Sequence, residues 1–137
     1  MSDCLDSWAV LAWLDGEEPA AEIVQRSLDQ GRPAMSWINL VEVEYRVRRQ
    51  HGPSEAGRTL SGLRELVREE LPGVSRMRSV AALKADHSIA LADCFAIATA
   101  AANGATLITG DPEIVDRAEQ LPCPVTDARV PPYLERA

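Results

Sequence analysis

Apolar residues recur along this chain with two periods, and the changes between them fall at Gly, Pro, Ser and Asp. Helical spacing predicts helices over residues 7–14 (SWAVLAWL), 19–30 with Ile23, Val24 and Leu28, and 37–50. It continues over 54–70 with Leu60, Leu63, Leu66 and Val67, then 79–87, 93–103 and 113–119. Short apolar runs between them predict strands at 3–6, 33–36, near Val74, at 105–109 and at 122–126. Ser36 is placed to cap the helix from Trp37, Gly52-Pro53 to separate two helices, and Pro112 to occupy a first helical turn. Strands alternating with helices predict a parallel α/β sheet covered by helices on both faces. In such sheets ligands bind at the carboxyl ends of the strands, near the switch in strand order.

The stretch LADCFAIATAAANGATLITGDPEI, residues 91–114, adds a length argument. A helix from Asp93 to Asn103 climbs roughly 15 Å at about 1.5 Å per residue. After the turn at Gly104, residues 105–109 return by about 13–17 Å at about 3.3 Å each. The two lengths nearly cancel, so Asp93 and Asp111 are expected at one level, on one edge of the sheet. Asp6 follows the first strand and belongs to the same edge. Glu42 lies on the helix after the second strand, with Asn39 three residues earlier on the same helical face. Glu44 points elsewhere.

Four carboxylates converging there would repel one another by several kcal/mol even at an effective dielectric near 20. A cation relieves that repulsion, and an all-oxygen donor set without thiolate or imidazole selects Mg²⁺ or Mn²⁺. Such ions serve phosphodiester hydrolysis by activating water. A second reading of the same acids is structural. With 21 acids in 137 residues some fall at strand ends by chance, Asp93 suits a helix N-terminus, and Asp6 and Asp111 suit helix caps.

The length fits one domain, residues 1–137, with one core. No apolar run approaches the ~20 residues of a membrane span. The N-terminus carries acids and no basic residue before its apolar segment, a poor signal peptide, so the expected compartment is the cytoplasm. Three cysteines (Cys4, Cys94, Cys123) without C-x-x-C spacing suit buried fillers in a reducing compartment. The net charge of −7 is unevenly spread: residues 46–84 hold nine of the 14 basic residues against four acids. That segment is either a solvated helical face or a cationic patch beside an acidic site.

Four blocks of the sequence resemble the PIN-domain ribonucleases. They are Leu5-Asp6-Ser7 before an apolar helix, Ser36-Trp37-Ile38-Asn39-Leu40-Val41-Glu42, Leu91-Ala92-Asp93-Cys94-Phe95, and Leu107-Ile108-Thr109-Gly110-Asp111-Pro112-Glu113. They occur in family order and span essentially the whole chain. Its size, without appended domains, resembles the VapC-type toxins of type II toxin–antitoxin pairs. The resemblance implies a three-layer α/β/α PIN-like fold with a short central parallel sheet of four to five strands. It also implies a Mg²⁺- or Mn²⁺-dependent endoribonuclease whose acidic metal site is Asp6, Glu42, Asp93 and Asp111. Thr109 would orient that site through its hydroxyl, and Asn39 would assist. Metal-activated water would cut RNA to leave a 5′-phosphate and a 3′-hydroxyl. Homodimerisation is implied, as is inhibition by a small antitoxin whose tail enters the active-site groove. The chain departs from the family at Ala90, where a Ser or Thr is usual; Ser88 is then the available cap.

Other residues draw weaker readings. His51 and His87 are expected to be solvated, and Trp8, Trp13 and Trp37 to serve core or dimer packing. Arg46, Arg48 and Arg49 fit either RNA phosphates or an antitoxin. A PIN-like module that binds RNA or protein without catalysis is the alternative function. A phosphatase or receiver-like domain is disfavoured because no Asp-x-Asp motif and no lysine near the last strand is present, and no G-x-G-x-x-G or G-x-x-x-x-G-K-[ST] supports a nucleotide cofactor.

Overall fold

A computed structural model describes residues 2–133. Five short strands form one sheet: β1 (Asp3–Leu5), β2 (Ala34–Ser36), β3 (Arg68–Glu70), β4 (Thr106–Thr109) and β5 (Val125–Asp127). Their order is β3-β2-β1-β4-β5 and every pairing is parallel. The helices are α1 (Ser7–Leu14), α2 (Ala20–Gln30), α3 (Trp37–Leu66), α4 (Val74–Asp86), α5 (Leu91–Ala102) and the single turn α6 (Pro112–Val115), with a 3₁₀ turn at Ala118–Gln120. The switch in strand order falls between β1 and β4.

Alternation along the strands divides the core between the two faces. Leu5, Met35 and Ile108 pack with α1, α2 and α3. Their strand neighbours Cys4, Ala34 and Leu107 pack on the other face with Val80 of α4, Cys94, Ile97 and Ala100 of α5, and Ile114 of α6. The helices therefore form two outer layers around the sheet. The three cysteines are buried free thiols, as their composition suggested. No helix among the described residues is long and apolar enough to cross a membrane.

Several boundaries differ from the sequence pattern. The third strand is Arg68–Glu70, not near Val74, so the helix expected over 54–70 stops at Leu66 and α4 begins at Val74. Arg-Glu-Glu carries no apolar strand signal because β3 is an edge strand with exposed or half-buried side chains. Backbone pairing overrides its helical propensity: Ala34 pairs with Arg68 and Ser36 with Glu70. Arg32 helps to end α3 there, donating to the carbonyls of Arg64 at 3.2 Å and Val67 at 3.0 Å. Glu70 accepts from Arg76 at 2.7 Å and from Asn103 at 2.6 Å, which ties the edge strand to α4 and the end of α5. The helix expected over 113–119 is likewise divided between α6 and the 3₁₀ turn.

The break at Gly52-Pro53 appears as a kink within α3, where Gly52 adopts φ 86° and ψ 170°. That region is open almost only to glycine. Gly52→Ala should lower the unfolding free energy by about 1–3 kcal/mol, measured by chemical denaturation; an unchanged midpoint would mean the kink can relax.

Candidate active site

The register of the sheet builds the site. Leu5 of β1 lies opposite Ile108 of β4, so the next residues, Asp6 and Thr109, emerge side by side at the carboxyl edge. Thr109 donates its hydroxyl to Asp6 Oδ2, and Ala9 N–H donates to Asp6 Oδ1 at 2.8 Å. Asp6 is thus both the N-cap of α1 and a buried acid on the floor of the edge. Thr109 also accepts from the Asp111 N–H at 3.0 Å, and Asp111 Oδ1 accepts from the Glu113 N–H at 2.9 Å. The capping positions read from sequence for Asp6 and Asp111 are therefore occupied, each leaving an oxygen free of capping.

Ser36 ends β2 and caps α3, accepting from the Ile38 N–H at 3.3 Å. That start places Glu42 about one and a half turns along the helix, at the same edge. Ser7 donates to Glu42 Oε1 at 2.5 Å, and Asn39 Nδ2 donates to it at 3.3 Å. Asn39 is fully buried and its amide also donates to the Ala92 carbonyl at 3.3 Å, joining α3 to the head of α5. Asn39 Oδ1 is buried with no partner among the described residues, an acceptor left over at the site.

Asp93 is the third residue of α5, where the helix dipole favours a carboxylate. Carboxylate oxygens of Asp93, Asp111 and Glu113 lie within 4.8 Å of one another. The level matching of Asp93 and Asp111 expected from their lengths is therefore realised. Asp6 and Glu42 stand behind this tight trio, close enough for their charges to act on it. An open cavity of about 410 Å³ is lined by Glu42, Asp93, Asp111 and Glu113, with Asp15 and Glu17 on its rim.

Glu113 is the residue that sequence reasoning passed over. Its carboxylate accepts from the Ala90 N–H at 3.1 Å, at the start of α5. The usual hydroxyl is missing at Ala90, and no side chain of that cap residue serves the helix. A carboxylate from the loop after β4 thus takes up the N–H of the cap residue itself, a different group from the N–H of residue 92 or 93 that a cap hydroxyl serves, and the side-chain cap expected of Ser88 is not made. The signal in the sequence was the acid two residues beyond Asp111, but its partner lies 23 residues away.

Gly110 has a separate reason to lack a side chain. A Cβ there would come within 2.2 Å of the Trp8 ring. Trp8 packs against the core on one side and lines the cavity on the other, so core packing accounts for only part of it. Trp13 packs on the core and donates to Gln25 at 2.9 Å. Trp37 is 40% exposed on α3. Neither His51 nor His87 lines the cavity.

Burial pushes Asp6 up to about 7, against the lowering effect of its Thr109 and Ala9 hydrogen bonds. The charges of Asp111 and Glu42 add to the rise. Asp93 is pushed up to about 8 by burial first, then by the charge and hydrogen bond of Asp111 and the charges of Asp6 and Glu42. These residues suit a divalent cation: the converging donors are all hard carboxylate oxygens, and their mutual repulsion is what a cation would relieve.

A central parallel sheet with acids gathered at its switch point defines an α/β domain with a candidate cation site. A PIN domain family model matches residues 4–120, and the chain belongs to the PIN-domain family. Similar solved structures include VapBC2 from Rickettsia felis bound to a DNA fragment from their promoter, 16% identical with a TM-score of 0.72, covering 92% of this chain and 98% of that one. VapBC-1 from nontypeable Haemophilus influenzae is 23% identical with a TM-score of 0.71, covering 95% and 100%. A toxin–antitoxin complex from Klebsiella pneumoniae is 20% identical with a TM-score of 0.67, covering 81% and 88%. At these identities the likeness is one of fold. No curated protein sequence matches the chain significantly.

Two outcomes follow from the geometry. Ala90→Ser should add about 1 kcal/mol to the unfolding free energy by capping α5 directly, as measured by urea denaturation. Asp6 and Asp93 are both raised from an ordinary value of 3.8, so they favour the folded state below about pH 4, and that contribution is lost progressively from there until the pH has passed about 7 for Asp6 and about 8 for Asp93. In metal-free buffer the unfolding midpoint should therefore fall over that window, and Asp93→Asn should flatten the fall. A midpoint that climbs with pH across the same range would contradict it.

Proposed function

We propose that this protein is a metal-dependent endoribonuclease toxin of a type II toxin–antitoxin pair, hydrolysing phosphodiester bonds of cytoplasmic RNA. The observation that carries this reading is the convergence of Asp93, Asp111 and Glu113 oxygens within 4.8 Å at the switch point of a PIN-family sheet. Asp6, Glu42, Asp93 and Asp111 are the acidic metal ligands in this reading. Mg²⁺ or Mn²⁺, held there, supplies Lewis acidity that lowers the pKa of water and neutralises charge on the phosphoryl oxygens.

The protein's own groups hold that site in shape. Thr109 and the Ala9 N–H fix both oxygens of Asp6. Ser7 and Asn39 fix Oε1 of Glu42. The dipole at the head of α5 and the Glu113 cap set the position of Asp93. The cavity of about 410 Å³ beside these acids is open, and in this reading it takes a flexible single strand or loop. A structure of similar fold is a toxin–antitoxin complex, which supports a cognate antitoxin as protein partner; this reading also takes the toxin to be a homodimer.

Purified protein should cleave single-stranded RNA in Mg²⁺ or Mn²⁺ and stop in EDTA. Asp93→Asn should abolish cleavage with the fold retained, while Thr109→Val should lower activity or metal affinity by about 10–100-fold. Gel assays of end-labelled RNA, with circular dichroism of each variant, check this. Cleavage that survives both EDTA and Asp93→Asn would overturn the reading in favour of a module that binds without catalysis.

A further inference from the structure

The three arginines that follow Glu42 on α3 have different surroundings. Arg48 donates to both oxygens of Glu44, at 3.1 and 3.2 Å, so its charge is already matched. The Arg49 guanidinium lies over the Tyr45 ring, 5.0 Å from its centroid. Arg46 is one helical turn beyond Glu42 and lines the same cavity as Glu42, Asp93, Asp111 and Glu113. It is the one cation among the described lining residues, beside six acids. No hydrogen bond or ion pair engages it among the described residues, although long arginines elsewhere on this surface find carboxylates readily.

We infer that Arg46 is a substrate-binding residue that grips a backbone phosphate of the RNA strand entering the acidic cavity. A guanidinium presents five N–H donors in a planar fork that matches the two non-bridging oxygens of a phosphodiester. A phosphodiester is also the anion that a wall of carboxylates tolerates once cations sit among them. A protein segment entering this cavity faces six acids and is selected to be basic, which Arg46 opposes. Arg49, three residues on and so on the same helical face, continues the positive stripe outward along the path of a polyanion. Arg48, with its charge matched, takes no part. The inference rests on the ribonuclease reading and assigns one side chain within it.

Steady-state cleavage of a short mixed-sequence single-stranded RNA in Mg²⁺, repeated over a series of KCl concentrations, tests it. Arg46→Ala should raise KM about tenfold, with kcat little changed, because a contact of this kind binds substrate and transition state alike. The slope of log(kcat/KM) against log[KCl] should shrink by about 0.7, the value of one phosphate contact on a single strand. Arg46→Lys should keep the slope and recover part of the affinity, and Arg48→Ala should match the wild type. Arg46 is exposed, and matching thermal midpoints will confirm that each variant folds. If the wild type cleaves RNA and Arg46→Ala behaves as Arg48→Ala does, the inference falls alone, whatever the variant does to a protein complex. If the wild type cleaves no RNA, the ribonuclease reading falls and takes the inference with it.

Discussion

The pairing of β1 with β4 is the constraint on which the site depends. These strands are separated by 103 positions of chain, yet Leu5 sits opposite Ile108 and Asp6 beside Thr109. A parallel ladder can form there only because helices on both faces cover it. Moving the register by one residue would separate Asp6 from Thr109 and turn Leu5 and Ile108 from one core toward the other. Core packing and acid placement are thus enforced by the same backbone hydrogen bonds. This explains how a strand of three residues can position a buried carboxylate.

The acids work against the fold while the strands and caps hold them in place. Asp6 and Asp93 are buried beside other carboxylates, and both are raised far above their ordinary range. The compensation is local. Donors from Thr109, Ser7, Asn39 and the starts of α1 and α6 fix one or two oxygens on most of the acids. Such an arrangement stores instability at the place where a cation would relieve it, and the rest of the domain has ordinary surface ion pairs worth little individually.

Much of this was legible in the amino-acid sequence, and the exceptions have physical causes. Helical and strand periods located four of the five strand regions because most of those strands are buried and apolar. Matching the rise of α5 against the return of β4 placed Asp93 and Asp111 together, since both lengths follow from backbone geometry. The edge strand β3 escaped because Arg68, Glu69 and Glu70 bury little and resemble helix in composition. The basic segment over 46–84 was equally opaque. Five of its arginines are paired, through Arg48–Glu44, Arg58–Glu55, Arg64–Glu69 and the Glu70 pairs, but all these acids except Glu44 lie in the segment itself, so its excess of charge persists, with Arg46 against the cavity. Glu113 escaped because its partner, the Ala90 N–H, is a backbone group on a different element, and no periodicity reports such a contact.

The bond from Ala90 to Glu113 has a consequence for how this sequence can change. Positions 90 and 113 are not independent sites of variation. With alanine at 90, loss of the acid at 113 uncaps α5 and disturbs the helix that carries Asp93. A serine at 90 would serve the N–H of residue 92 or 93 and leave that of residue 90 without its acceptor, so it offsets the loss only in part. The loop acid is therefore tied to the head of α5 by the mechanics of a helix end as well as by its place beside Asp93 and Asp111.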